Sequence, residues 1–199
     1  MPTWLVIIIV IAAIAVIGAV IWLVSQEMQR KRLRQKFGPE YDRTMEENDN
    51  PRAAQRELAA REKRHAELDI HPLSASAQER YTQQWALIQE QFVDRPAGSV
   101  AEADRVLVAL MAERGYPTEG YDQQLADLSV QHSQTLKHYR TAHDTMRDHE
   151  HTQASTEELR DAMVHYRTVF EDLLTDKTEK TTHNGRNTSK GGEADAARN

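Results

Sequence analysis

"WLVIIIVIAAIAVIGAVIWLV" occupies residues 4–24, 21 consecutive positions without a charged or strongly hydrogen-bonding side chain. At about 1.5 Å of rise per residue, a helix of this length covers roughly 30 Å, the thickness of a bilayer's hydrocarbon core. Lipid offers no partner to a backbone N–H or C=O, so the stretch is predicted to be helical although Ile and Val are mediocre helix formers in water. Trp4 and Trp22 lie near its ends, where indole rings prefer the headgroup level. A cleaved signal peptide is the competing reading. It needs a basic segment before an apolar run of about 7 to 15 residues and a small-x-small exit. No charged side chain precedes this run, and "WLVSQEMQRK" offers no such exit. An uncleaved anchor over residues 1–25 is therefore predicted.

A basic juxtamembrane segment follows at residues 26–36. Arg30, Lys31, Arg32, Arg34 and Lys36 outweigh Glu27, a local charge of +4 in a chain of net charge -6, which leaves -10 for the remainder. The positive-inside rule then predicts a single pass through the cell membrane, with the N-terminus out and the C-terminal domain cytoplasmic. The same five residues are the predicted membrane-surface contacts, since cations beside a bilayer are attracted to anionic headgroups. An acidic body argues against nucleic acid as a partner, because that binding depends on Lys and Arg neutralising phosphates. The lipid bilayer and a protein of unknown identity are the expected partners. The chain has no cysteine, which removes disulfides, thiolate metal sites and thiol nucleophiles.

Working outward, "KFGPEYDRTMEENDNP" interrupts the helix. Gly38 and Pro39 predict a stop and a turn, with a short helix from Glu40. In "NDNPRAAQRELAAREKRHAELDI", Asn50 can cap, Pro51 suits the first helical position, and Glu57 and Arg61 form an i, i+4 pair. Its apolar residues are few, so residues 37–70 read as charged connecting helices, a stalk or outer layer. The bundle is placed at residues 71–175. Ser76 with Glu79 suggests a capping box before Tyr81, Trp85, Ile88 and Phe92, and Ser99 with Glu102 another before Val100, Ala103, Leu107 and Leu110. Tyr121, Leu125 and Leu128 mark a short helix, and Leu136, Tyr139, His143 and Met146 a longer one. Ser155 with Glu158 opens the last, whose inner face is Leu159, Met163, Tyr166, Phe170 and Leu173. No segment alternates like a strand. The predicted fold is all-α: one N-terminal transmembrane helix, a charged connecting helix, and a four- or five-helix bundle. Residues 176–199 contain no large apolar side chain and are predicted to be disordered.

The common phosphate cradles and the hydrolase nucleophile elbow are absent from the sequence. Five of the nine histidines fall between His132 and His151, yet no two in the chain stand at i, i+3 or i, i+4, the spacing that turns two imidazoles toward one ion. A di-iron bundle needs two Glu-x-x-His pairs, and only Glu62 with His65 fits. Asp161 and His165 are i, i+4, which suits an oriented imidazole, but no nucleophile accompanies them; a simple side-chain pair is the plainer reading. His143 falls on an apolar face, as a core histidine does. The expectation is a membrane-anchored helical protein-interaction module, an adaptor or regulator, with no catalytic activity, cofactor or metal. The alternative is a ligand- or metal-binding bundle, or an enzyme, whose interhelical pocket uses His143, Asp161 and His165.

The phrases "FGPEYDRT", "REKRHAELDIHPLS", "ERYTQQWALIQEQFVDRPAGSVAEAD", "MAERGYP", "LADLSV" and "STEELRDAMVHYRTVFEDLL" together carry a resemblance. Over roughly residues 33–174 the chain resembles a group of uncharacterised actinobacterial single-pass membrane proteins, often labelled hypothetical or secreted. The resemblance implies a bacterial cell membrane and no known activity, and it transfers no functional residue. The label "secreted" conflicts with the charge asymmetry, which favours a cytoplasmic bundle.

Overall fold

The computed structural model describes residues 3–152 and 154–175. They form α1 (Thr3–Phe37), α2 (Pro39–Glu47), α3 (Pro51–Glu67), α4 (Ala75–Gln91), α5 (Pro96–Glu113), α6 (Tyr121–Leu128), α7 (Leu136–Thr152) and α8 (Thr156–Thr175), with no strand among the described residues. The fold is all-helical, as the apolar periodicity predicts. The expectation of a disordered tail lies outside the described residues.

α1 is long and apolar enough to cross a membrane, and that part of it is not buried in the protein. Its side chains from Ile11 to Val24 are exposed. Nine residues further on, the same helix enters a core: Leu33 is 2% exposed and Phe37 fully buried. They pack with Tyr41 of α2, Leu58 of α3 and Val130 of the α6–α7 connection, with Met45 alongside. Gly38 ends α1 by donating its N–H to the Arg34 carbonyl at 2.9 Å. Its φ of +47° lies in the left-handed region that side chains avoid, and Pro39 starts α2 with φ already set. The chain thereby reverses, so that Asp42 of α2 lies back beside Arg34 of α1 at 3.5 Å. After Asn50, whose side chain accepts the Arg52 N–H at 2.9 Å, α3 runs in the same direction as α1. Residues 37–70 are thus more than a stalk: with the end of α1 they build a second, smaller core. The apolar residues of that core are too sparse on any one helix to make a visible stripe, and three helices and a loop each contribute one or two.

The larger core is made by α4–α8. α5 and α8 pack against each other, with α4 on the flank of α5 and α7 on that of α8. Trp85 of α4 reaches across to stack on Phe170 of α8, centroids 4.4 Å apart and planes 13° apart. The predicted inner faces of α4, α5 and α8 are buried, apart from a half-buried Phe92. Two caps differ from expectation. Ser74, rather than Ser76, accepts the Ala77 N–H at 3.1 Å, and α5 begins at Pro96, which leaves Ser99 inside the helix and buried. A proline at the first helical position competes successfully with a serine three residues later. The Ser155–Glu158 box is present, with the Ser155 N–H on Glu158 Oε2 at 2.7 Å and the Glu158 N–H on Ser155 Oγ at 3.3 Å.

Two ion pairs join the cores. Arg140 of α7 grips Glu40 of α2 with both guanidinium arms, one at 2.7 Å, and both side chains are largely buried. Arg64 of α3 meets the buried Asp127 of α6 at 3.0 Å. Gly115 closes the approach of the α3–α4 connection: φ is +94°, and a Cβ there would stand 2.2 Å from the Asp69 carbonyl oxygen. Substituting Phe37→Ala is expected to destabilise the full chain by about 3–5 kcal/mol, as for a buried aromatic elsewhere. The check is reversible denaturant unfolding in neutral detergent, followed by helical circular dichroism.

Candidate functional site

Two regions bring together side chains capable of recognition. The first is the base formed by α1, α2 and α3. Of the five basic residues expected at the membrane surface, Arg32 and Lys36 turn to Glu62 on α3, at 2.6 and 2.8 Å. Burial alone would raise the Glu62 carboxyl, but hydrogen bonds and charge from Lys36 and Arg32 hold it below the usual carboxylate range. Lys31 pairs loosely with Glu27 at 3.9 Å, and Arg34 with Asp42. With Arg30, Glu27 and Tyr41, Lys31 and Arg34 line a shallow cleft of about 290 Å³ between α1 and α2. The expected cluster is therefore divided. Arg32 and Lys36 fasten α1 to α3, while Arg30, Lys31 and Arg34 lie on the outer side.

On the opposite side of α1, a cleft of about 400 Å³ opens toward α3, lined by Gln26, Gln29, Arg52, Gln55, Arg56 and Ala59. No acidic residue lines it. Arg52 and Arg56 are exposed, and Arg56 Nε donates to the Arg52 carbonyl at 3.2 Å. Gln55 Nε2 is buried without a hydrogen-bond partner. Two like charges at i, i+4 disfavour a helix slightly, and that spacing was the one signal of this cleft available in the sequence.

The second region lies between α5, α6, α7 and α8. His143 stacks on Tyr121, centroids 3.9 Å and planes 15° apart, and its Nδ1 stands 3.8 Å from Asp104 Oδ1, too far for a hydrogen bond. Tyr166 donates to the same Asp104 oxygen at 2.8 Å, and Tyr139 donates to Gln124 at 3.1 Å. Burial pushes the Tyr121 hydroxyl up to about 12 and raises Tyr139 and Tyr166 further, so all three are neutral donors at any physiological pH. A cleft of about 350 Å³ beside them is lined by Ala101, Asp104, Arg105, His143, Met146 and Arg147.

His165 belongs to a different set. Its Nδ1 lies 2.8 Å from His138 Nδ1 on α7, and Asp161 is exposed one turn earlier on α8. The fold does not join His143, Asp161 and His165 in one pocket. Adjacent positions on a helix point about 100° apart, and α8 gives Tyr166, not His165, to the Asp104 side. Among the described residues, no three His, Asp or Glu side chains stand as a metal-ligating group.

The sequence reading also missed a buried polar junction at the foot of the bundle. Arg114 is fully buried and donates to the Leu173 carbonyl at 2.7 Å, satisfying an acceptor that the end of α8 leaves open. Nearby, Asp172 accepts from Thr135 at 2.6 Å and pairs with His132 Nδ1 at 2.9 Å. Burial would raise Asp172, yet these hydrogen bonds and the charges of His132 and Arg114 hold it lower than usual. In "MAERGYP" Arg114 looks like any turn residue, and no local signal announces its burial.

In comparisons with family profiles, curated proteins and solved structures, nothing matched the chain.

Burial first, then the charge of His138, lowers His165 below the ordinary histidine value, and Asp161 only partly offsets this. An unfolded histidine titrates near 6.5. The unfolded chain therefore takes up protons first on acidification, and the stability held above about pH 6.5 is lost as pH falls toward the lower folded value. The thermal midpoint is expected to drop between pH 7.5 and 5.5, and to drop less in His165→Gln. A residual slope should remain from His65, which burial and then Lys36 lower as well.

Proposed function

We propose that this chain is a membrane-anchored helical protein-interaction module, an adaptor or regulator at a bacterial cell membrane, with α1 spanning the bilayer, its N-terminus outside and the bundle in the cytoplasm. The observation that carries the reading is the continuity of α1. One unbroken helix passes from an exposed apolar stretch into the buried positions Leu33 and Phe37. The body is then held at a fixed height and orientation above the bilayer, unlike a domain on a slack linker. Fixing a recognition surface to a membrane raises its effective concentration toward partners in the same plane. The basic residues after the apolar stretch support the cytoplasmic orientation, and the acidic remainder of the chain suits protein partners better than nucleic acid.

Because the chain lacks cysteine, orientation is directly measurable. A Gln84→Cys variant, exposed on α4, should react with a membrane-impermeant maleimide only after lysis; labelling of intact cells would overturn the cytoplasmic assignment. For the interaction role, a photo-crosslinking amino acid at Val93, 84% exposed, or at Val164, 56% exposed, should yield discrete protein adducts from the full chain in cells. Uniform absence of adducts from these and from exposed positions on every bundle helix would sink it.

A second reading, a ligand-binding bundle, rests on the cleft at Asp104. His143 lines it, and its Nδ1 is buried without a hydrogen-bond partner, an acceptor or donor that a polar ligand would satisfy. A metal and nucleotide thermal-shift screen on the full chain separates the two readings: a ligand that binds the folded state raises the midpoint by mass action.

A further inference from the structure

We infer that the cleft between α1 and α3 binds the phosphate of an anionic phospholipid headgroup through Arg52 and Arg56. The inference rests on α1 spanning the bilayer as proposed above. The apolar stretch ends at Val24, so Gln26 and Gln29 lie roughly 3 and 8 Å beyond it along the helix. The headgroup layer is itself about 5–8 Å thick on each side, and both glutamines fall within it. The same two residues line the cleft with Arg52, Gln55 and Arg56, which brings the first turns of α3 to headgroup level.

The hairpin geometry produces this placement. α2 returns the chain toward the bilayer, as the Arg34–Asp42 contact records. α3 then rises beside α1 in register: Gln26 and Gln29 lie opposite Arg52 and Arg56, and Arg32 and Lys36 meet Glu62 further out. The one acidic residue of the juxtamembrane segment, Glu27, lines the cleft on the α2 side instead.

Three features of the cleft point to an anion. Its two arginines stand at a spacing that is repulsive in an empty helix, and neither has a carboxylate partner among the described residues. Arginine presents a planar fork of donors that fits phosphate. Gln55 Nε2 is a further donor, buried and unpartnered. The outward cations of α1 differ in kind: Lys31 and Arg34 already face acidic neighbours, and they suit a diffuse attraction to the surface.

The test uses the full chain in vesicles mixing phosphatidylcholine with phosphatidylglycerol, one of the two lipids carrying brominated acyl chains that quench indole fluorescence. Trp22 is the reporter, one helical turn before Gln26, in a Trp4→Phe background that silences the far end of α1; Trp85, buried against Phe170 in the bundle, adds a constant background that is subtracted with a Trp4→Phe/Trp22→Phe control. Each basic side chain close to a membrane surface favours an anionic lipid by about fivefold. Phosphatidylglycerol is therefore expected to exceed phosphatidylcholine at Trp22 by at least about fivefold, and the preference should fall by at least about fivefold in Arg52→Gln/Arg56→Gln and by clearly less in Arg30→Gln/Lys31→Gln/Arg34→Gln. Circular dichroism of each variant confirms the fold. Equal loss in the triple variant, or no loss in the double one, overturns the cleft as the site. Displacement of the preference by millimolar inorganic phosphate overturns the lipid source. If instead the protein is stripped from the membrane by alkaline carbonate, the spanning helix itself is wrong. A carbonate-resistant protein without lipid preference refutes the headgroup site alone.

Discussion

Burial of Phe37 and Leu33 beneath Tyr41, Leu58 and Val130 is the contact on which the rest of the molecule depends. These two side chains sit on the same helix as the exposed apolar stretch, so whatever holds that stretch also holds the body. A helix transmits orientation as well as position, because rotating it by one residue would turn the face carrying Leu33 and Phe37 about 100° away from Leu58. Arg32 and Lys36 converging on Glu62 set the same rotation from the polar side. The small core is modest in area, and its effect is geometric: it makes the helix that carries the apolar stretch a structural element of the domain.

Charge pairs with at least one buried member perform the joining. Glu40 with Arg140, Arg64 with Asp127, and Asp172 beside His132 and Arg114 lie where the base meets the bundle or where helices end. Desolvating such groups is costly, and each is met by a partner of opposite charge with hydrogen bonds in place. Removing Arg140, Glu40 or Arg64 leaves a buried partner uncompensated, so these junctions penalise misdocking more than they add net stability. Apolar surface holds each core together, and the ion pairs fix how one core sits on the other.

Much of the fold was legible because it follows from local rules. The apolar stretch, the stop at Gly38, the caps at Asn50 and Ser155, and the 3-and-4 spacing on α4, α5 and α8 each depend on residues within a few positions of one another. The junctions were not legible for the opposite reason. Arg140 and Glu40 are 100 positions apart, and nothing near either residue distinguishes it from a solvated surface charge. The candidate pocket shows the same limit. Spacing brought Asp161 and His165 onto adjacent turns, but a bundle chooses neighbours across helices, and it gave His165 to His138 and His143 to Tyr121.

By itself the sequence determined an all-helical chain with an apolar N-terminal helix, a basic segment after it and an acidic remainder, because hydrophobic periodicity and charge are properties of neighbouring residues. Only the tertiary structure decided that α2 folds back, that α3 rises beside α1, and that Arg52 and Arg56 come level with Gln26 and Gln29 across a shared cleft. That arrangement follows from a reversal at one glycine and from the burial of side chains contributed singly by separate elements. Such a sum becomes visible only after the chain has folded.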